Sequence, residues 1–600
     1  MTYLPRYVTT IVAAIFCLVC VAGCSTLPTS GPVIKSDVQD SKGQLLSQEA
    51  LGPAKGSSPE RLVKDFLKAC SAGTYDDYAV AREYLTAKAA KTWKPEAAIA
   101  IATDNEDISV IDKEDGKVKV SAKLKARIDS QGKREDDTSE YNHQVILKKN
   151  KEGEFRIDVL PMGIIIPHRL FYNAYNLRNV YFLSTDKAVL VPDPRWVPRT
   201  RMVSHLVDYL IAGPSQSLSS SVKTAFPQGK QYIQSVNVDG ATAKINLEHS
   251  ASSLSNSQRS ELLWQMQETL KAADGVSRIE LSLDTEPIVQ QAPHQTDYDM
   301  TTVIGMSDRA VVSQDRSGSH VLWQRDDLPV NLSHPAMSPL KQTMQAAVNN
   351  GNSIVLLAND GGQYALPRPI FAAPNVMAPS VDRCNWVWTG NSGVIEVGEQ
   401  RKSTAYGTIV AVHEDGRQVE IAQGASVHHD AQVMTTPSGI VGVRVSLDGT
   451  RLAVISVDDE GRSTLHVMVV ERSDTCEPEG ISHEMDLPLT VKNAEQLTWT
   501  SPTSIAVVGE YKRVDVPGNT QTVLPQSEDG AQPGRPHAIE SVQLGGEHSI
   551  VNALSGMESV YGGGTTDSLY VVNSDGVHFK LYGTQWRKVS EGLKQASFPG

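Results

Sequence analysis

The feature that most constrains the fold of this chain is its C-terminal half, where no helical periodicity interrupts about 300 residues. Short strand-like runs follow one another instead: residues 310–312, 354–357, 408–412, 440–445, 452–455, 465–470, 505–508 and 569–572. Turn signals separate them, among them Asp360-Gly361, Asp415-Gly416, Asp448-Gly449, Asp459-Glu460-Gly461 and Asp575-Gly576. Many short strands with regular turns define a sandwich, a barrel or a propeller. Length decides among them, because a sandwich takes about 100 residues and a propeller blade about 40–45. Residues 301–600 are therefore predicted to form an all-β propeller of six or seven blades. The stretch 443–454, with Ser446, Asp448 and Gly449 at its turn, reads as a blade hairpin. Trp323, Trp386, Trp388, Trp499 and Trp586 recur beside the strands.

Two small α+β units precede the propeller. In residues 58–165, Ser58 can cap a helix with Pro59 in its first turn. Leu62, Val63, Phe66, Leu67 and Cys70 then recur at helical spacing, and a second helical stretch covers 78–85. The period changes to two at Val118, Val120, Ala122, Leu124, Ala126 and Ile128, which alternate with Lys117, Lys119, Ser121, Lys123, Lys125 and Arg127. That strand has one buried and one wet face. Its basic row reads as solvated edge protection, or as a surface for an anionic partner. In residues 166–289, helices are predicted over 200–212, stopped by Gly213-Pro214, and over 257–272. A hairpin crosses Asp239-Gly240. Residues 290–300 read as a linker.

The N-terminus is an address. Arg6 precedes an apolar run over 8–21, and Val21-Ala22-Gly23-Cys24 follows. A basic start, an apolar run and small residues make a secretory signal over 1–23. The cysteine after the small residues makes it a lipoprotein signal. The Cys24 thiol is then expected to take a diacylglyceryl group, and cleavage before Cys24 to free an amine for a further acyl chain such as palmitate. Residues 24–57, rich in Ser, Gly, Pro and Gln, read as a flexible tether. The competing reading, an uncleaved anchor helix, needs about 20 apolar residues, and this run is shorter.

Composition bounds the remaining chemistry. A net charge of −13 argues against nucleic acid. Cys70, Cys384 and Cys476 lie beyond Cys24. Cys384 and Cys476 share the C-terminal half and are candidates for a disulfide; buried unpaired thiols are the alternative. No metalloprotease, phosphate-loop or nucleophile-elbow motif is present. Gly390-Asn391-Ser392-Gly393 lacks the elbow spacing. His428-His429-Asp430 is the densest group of metal-ligand types, but adjacent strand residues face opposite ways. Gly562-Gly563-Gly564 reads as a blade turn, and His168-Arg169 as a surface loop. Cys24 is the sole site residue; no catalytic residue, metal or cofactor is expected.

The order of parts resembles the actinobacterial LpqB lipoproteins. The resemblance is carried by the lipobox at Cys24, by Pro59-Glu60-Arg61-Leu62-Val63 and by Ala79-Val80-Ala81-Arg82-Glu83-Tyr84-Leu85-Thr86 with Trp93. Tyr181-Phe182, Leu190-Val191-Pro192, Leu210-Ile211-Ala212-Gly213-Pro214 and Gln265 resemble the GerMN module, and Ala378-Pro379-Ser380-Val381-Asp382 the family's propeller. The resemblance implies a non-enzymatic accessory protein, lipid-anchored on the extracytoplasmic face of the cell membrane. It would touch a sensor histidine kinase and tune two-component signalling in cell-wall homeostasis and division. The alternatives are a lipoprotein that binds envelope glycan or peptide in the propeller channel, and an envelope hydrolase.

Overall fold

A computed structural model describes residues 51–600, except 104–107, 115, 227–231, 249–253, 294–297, 299, 329, 341–343, 361–362, 398–399, 404–406, 424–438, 512–536, 553, 555 and 564–567. Cys24, the cluster at 428–430 and Gly564 lie outside the described residues. No described helix is long and apolar enough to cross a membrane.

The first domain packs helices on one face of a sheet. Helix α1 (Pro59–Ala72) starts where Ser58 accepts a hydrogen bond from the Arg61 amide, and it buries Leu62, Val63, Phe66, Ala69 and Cys70. Two short helices follow, α2 (Ala79–Glu83) and α3 (Ala87–Thr92). The strands are β1 (Ala98–Ala102), β2 (Ser109–Glu114), β3 (Lys117–Asp129), β4 (Arg134–Asp136), β5 (Glu140–Lys149), β6 (Phe155–Val159) and β7 (Ile164–Pro167). They form one sheet in the order β6-β5-β3-β1-β7, with β2 and β4 also on β3. Strand β3 buries the alternate apolar residues Val118 to Ile128, as its period of two requires.

Two sequence boundaries move. Residues 51–57, read as tether, are held on this domain: Tyr84 donates to the Leu51 carbonyl at 2.6 Å, and the Gly56 amide to Glu154 at 2.8 Å. The predicted break at 165/166 falls inside β7, which pairs in parallel with β1 through Ile166 and Ala102–Pro167 contacts. Helix α4 (His168–Ala174) continues from β7, and its Phe171 and Ala174 join the first core. The first domain therefore ends near residue 174. His168 and Arg169 begin that helix rather than a loop.

The second domain holds two small sheets and two helices. Strands β8 (Tyr175–Ser184), β9 (Leu190–Pro198) and β10 (Val222–Lys223) form the first sheet. Strands β11 (Tyr232–Asp239), β12 (Thr242–Glu248), β13 (Arg278–Leu283) and β14 (Glu286–Pro287) form the second. Helix α5 (Met202–Ala212) ends at Gly213, whose φ of 92° suits glycine. Helix α6 (Asn256–Leu270) opens with a capping box between Ser255 and Gln258. Leu206, Val207, Leu210, Leu262, Met266 and Leu270 fill the core between them.

Among the described strands of residues 303–597, four sheets of four strands and one of seven make up six blades, and two short two-stranded ribbons, 359–364 and 394–403, stand beside them. The chain's last strand, Lys594–Ser597, pairs with Val303–Ser307 and supplies the inner strand of the first blade. This ties the chain's C-terminal strand to the first blade and closes the ring. Blades two and three span 332–372 and 380–423. Strand Pro478–Ser501 is shared: it is the outer strand of blade four and runs on as the inner strand of blade five. Buried Glu540 accepts hydrogen bonds from the Thr490 and Val491 amides, 2.7 and 3.1 Å, where that strand leaves one ladder for the next. Blade six spans 557–591. In the predicted hairpin of blade four, Asp448 accepts from Ser446 Oγ and from the Thr450 amide, fixing the turn.

Candidate functional site

The three domains meet around strand β9. All nine of its residues are buried, although Leu190-Val191-Pro192-Asp193-Pro194-Arg195-Trp196-Val197-Pro198 holds two charges. Trp196 touches every domain. Its ring lies 4.8 Å from Phe171 and 5.1 Å from Tyr172 of α4, its amide donates to the Gly132 carbonyl at 2.7 Å, and its Nε1 donates to the propeller's Gly545 carbonyl at 2.7 Å.

Beneath it runs a chain of buried charges. Arg195 Nη2 lies 2.6 Å from Asp193 Oδ2, and Lys133 Nζ lies 3.6 Å from Asp193 and 3.2 Å from Glu484. Arg451 Nε reaches Glu484 at 2.7 Å. Asp193, Arg195 and Arg451 are fully buried. Lys133 belongs to the first domain, Asp193 and Arg195 to the second, Glu484 and Arg451 to the propeller. Desolvation is the largest influence on Asp193 and pushes its carboxyl up; the Arg195 and Lys133 charges together outweigh it and hold the group below the usual range. Glu484 behaves alike: desolvation raises it, and Arg451 with Lys133 brings it down. Each charge is tolerable in this interior only because its neighbours are present.

The signs fix a pH dependence. Unfolded Asp and Glu titrate near ~3.9 and ~4.3, and both groups sit lower in the folded junction. Their stabilisation is complete above the unfolded values and is lost as pH falls through the folded ones. Hydrogen exchange at the Trp196 amide is expected to stay constant from pH 8 to 5, after correction for intrinsic rates, and to accelerate below pH 4. Loosening between pH 8 and 6 would contradict this.

Gly132 shows how tightly the backbones approach. Its φ is 78°, and an added Cβ would lie 2.5 Å from the Trp196 carbonyl and 3.0 Å from the Tyr209 ring. Gly132→Ala is expected to weaken this docking by about 1–3 kcal/mol. Faster exchange at Trp196 with an unchanged propeller is the expected readout; an unchanged rate would count against the contact.

A second ionic contact joins the first domain to the propeller. Glu547 lies 2.5 Å from Lys125 and 2.7 Å from His168. Desolvation, the largest influence, would raise the Glu547 carboxyl, but hydrogen bonds from Lys125 and His168 hold it down at about 2. Part of the basic row on β3 is therefore used inside the molecule: Lys125 meets Glu547, and Arg127 pairs with Asp137.

The second domain also grips the propeller. Arg383 forks onto Asp186 at 2.7 and 2.9 Å, and Lys223 reaches Asp474 at 2.7 Å. Beneath this contact a Cys384–Cys476 disulfide joins turns of blades three and four, with Cα atoms 6.1 Å apart. Asp186 and the two sulfurs form the one group of metal-ligand types among the described residues, but bonded sulfurs are not thiolate ligands. Cys70 is a free, buried thiol, and desolvation pushes it far up, so it is unreactive.

Between the domains lies a cleft of about 1100 Å³. The turn 129–136, the segment 214–220 and propeller residues 482–487 and 543–548 line it. Both signs of charge are present, including Glu135, Asp136, Arg134 and His483, the last raised by its hydrogen bond to Asp486. Sequence reading missed these residues; two charges inside an otherwise apolar strand, Asp193 and Arg195, were the available signal.

Two small α+β domains joined through buried charges to a C-terminal propeller define a class of multidomain propeller protein. Residues 52–172 match the model of the lipoprotein LpqB N-terminal domain, 179–289 that of sporulation and spore germination, and 310–599 that of the lipoprotein LpqB beta-propeller domain. The chain belongs to the LpqB lipoprotein family. Lipoprotein LpqB of Thermobifida fusca is 25% identical over 97% of both chains, and that of Cutibacterium acnes 30% identical over 44% of both. Among solved structures, TolB from Acinetobacter baumannii is 12% identical with a TM-score of 0.31, covering 50% of this chain and 65% of its own. The tandem GerMN domains of GerM from Bacillus subtilis are 12% identical with a TM-score of 0.17, covering 25% and 59%.

Proposed function

We propose that this protein is anchored by lipid on Cys24 at the extracytoplasmic face of the cell membrane. There it acts as a non-enzymatic accessory of a sensor histidine kinase, tuning two-component signalling in cell-wall homeostasis and division. The observation that carries the reading is membership of the LpqB family together with the lipobox at Cys24. The junction supports it. Domains fixed to one another by buried ion pairs present a surface of constant shape, which a partner in the same membrane can read without reordering it. Two or three acyl chains suffice for stable anchoring at about 0.8 kcal/mol per buried methylene.

The test is co-purification from detergent-solubilised membranes. The kinase is expected to be enriched with the wild-type chain and depleted with Cys24→Ala. Equal recovery of unrelated membrane proteins and no enrichment of the kinase would overturn the reading.

A further inference from the structure

The inner strands of the six blades surround a central channel with a cavity of about 640 Å³. Its wall is unusual at two places. His334 and Gln595 both have left-handed backbones, with φ of 48° each. Each sits where pairing slips: between Ser333 and Ala336 in blade two, and opposite the Ile304–Met306 step in blade one. Bulges of this kind re-aim side chains, and strained residues gather at functional sites. The two are tied together, the His334 amide donating to Gln595 Oε1 at 2.9 Å, and both line the cavity.

Arg444 lines the same cavity from the inner strand of blade four. Its Nη1 donates to the Ala378 and Val443 carbonyls at 3.0 and 2.8 Å. Among the described residues no carboxylate pairs with it, and its side-chain hydrogen bonds are the two from Nη1. Desolvation by the channel wall pulls this guanidinium down to about 10. His334 is reached by water along the channel, yet the wall, and after it the Arg444 charge, lower its imidazole to about 4. On blade six, Ser559 lines the same cavity, and its buried Oγ has no hydrogen-bond partner.

We propose that this channel binds a short peptide through its free terminal carboxylate, held by the open Nε–Nη2 edge of Arg444 with Ser559 Oγ as a further donor. A guanidinium edge matches a carboxylate in two parallel hydrogen bonds. Glu495 and Glu558 also line the cavity, and their charge opposes a polyanion while leaving room for a peptide's ammonium end. The volume falls within the usual range for small-ligand sites, about 300–1,000 Å³. The ligand class is argued from the channel alone and does not rest on the kinase reading.

Calorimetric titration of the full chain tests this with trialanine, trialanine amide and inorganic phosphate. Saturable binding of trialanine is expected, with the amide weaker by about tenfold or more, since a charge-assisted hydrogen bond is lost. Arg444→Lys, which keeps the charge but not the fork, is expected to weaken trialanine by about tenfold. Ser559→Ala, which removes an unpartnered hydroxyl, is expected to weaken it several-fold at unchanged thermal stability. Absent binding, equal binding of acid and amide, or tighter binding of phosphate would each overturn the proposal. If Arg444→Lys misfolds, the acid–amide comparison and Ser559→Ala decide alone. None of these outcomes bears on kinase co-purification, so the two readings fail separately.

Discussion

Asp193→Ala is expected to release the three domains from one another. The substitution removes the only carboxylate within ion-pair distance of fully buried Arg195 among the described residues, and one of the two that hold Lys133. It also removes the acceptor for the Ser215 amide, 2.8 Å away. Breaking one side of a buried ion pair costs about 3–5 kcal/mol, because the remaining charge stays desolvated. Most of that cost falls on the junction and not within any single core, since Asp193 packs between domains. The expected result is fast exchange at the Trp196 amide and new proteolysis near residues 129–136, with blade strands still protected. Asp193→Asn keeps the shape and should be intermediate. A change below about 1 kcal/mol for Asp193→Ala would mean that Lys133 and Arg195 find other partners.

The second large effect is expected from the disulfide. Cys384 and Cys476 are 92 residues apart, and the closed loop holds all of blade four's inner three strands. Constraining a loop of that length in the unfolded chain stabilises by about 2–5 kcal/mol. The bond also sits beneath the Arg383–Asp186 contact, so its loss should reach the second domain. The double variant Cys384→Ser, Cys476→Ser is expected to lower the unfolding midpoint of the propeller and to speed exchange around Asp186. An unchanged midpoint in oxidised and reduced wild type alike would show that the bond contributes little.

The sequence announced some parts of this protein and hid others, for physical reasons. Strand β3 was legible because period two is local: Val118 through Ile128 alternate with Lys117 through Arg127, and the burial follows. Helix α5 was legible from Gly213-Pro214, and the propeller from strand density and length. The ring closure was not, because Lys594–Ser597 pairs with a strand nearly 290 residues earlier and no local pattern marks it. The end of the first domain was misplaced because β7 is a parallel partner of β1, joined through a long crossover. The candidate site was least legible. Lys133 and Glu484 are 351 residues apart, and each alone looks like an ordinary surface charge. Asp193 and Arg195 were the exception: two charges within an apolar run call for buried partners. The basic row on β3 reads locally as solvated or as facing an anionic partner; the acidic group that meets Lys125 is the protein's own Glu547.

We propose that lipid on Cys24 holds this body beside a kinase in the same membrane. Such attachment would turn their encounter into one at raised effective concentration, worth about 10²–10⁴-fold in apparent affinity. Crosslinking in intact cells, followed by mass spectrometry of wild type and Cys24→Ala, tests it most directly. The account predicts crosslinks between the wild-type body and the extracytoplasmic part of the kinase, and their loss together with membrane attachment in Cys24→Ala. Kinase crosslinks that persist undiminished in a fully detached Cys24→Ala protein, or none in the wild type, would contradict it.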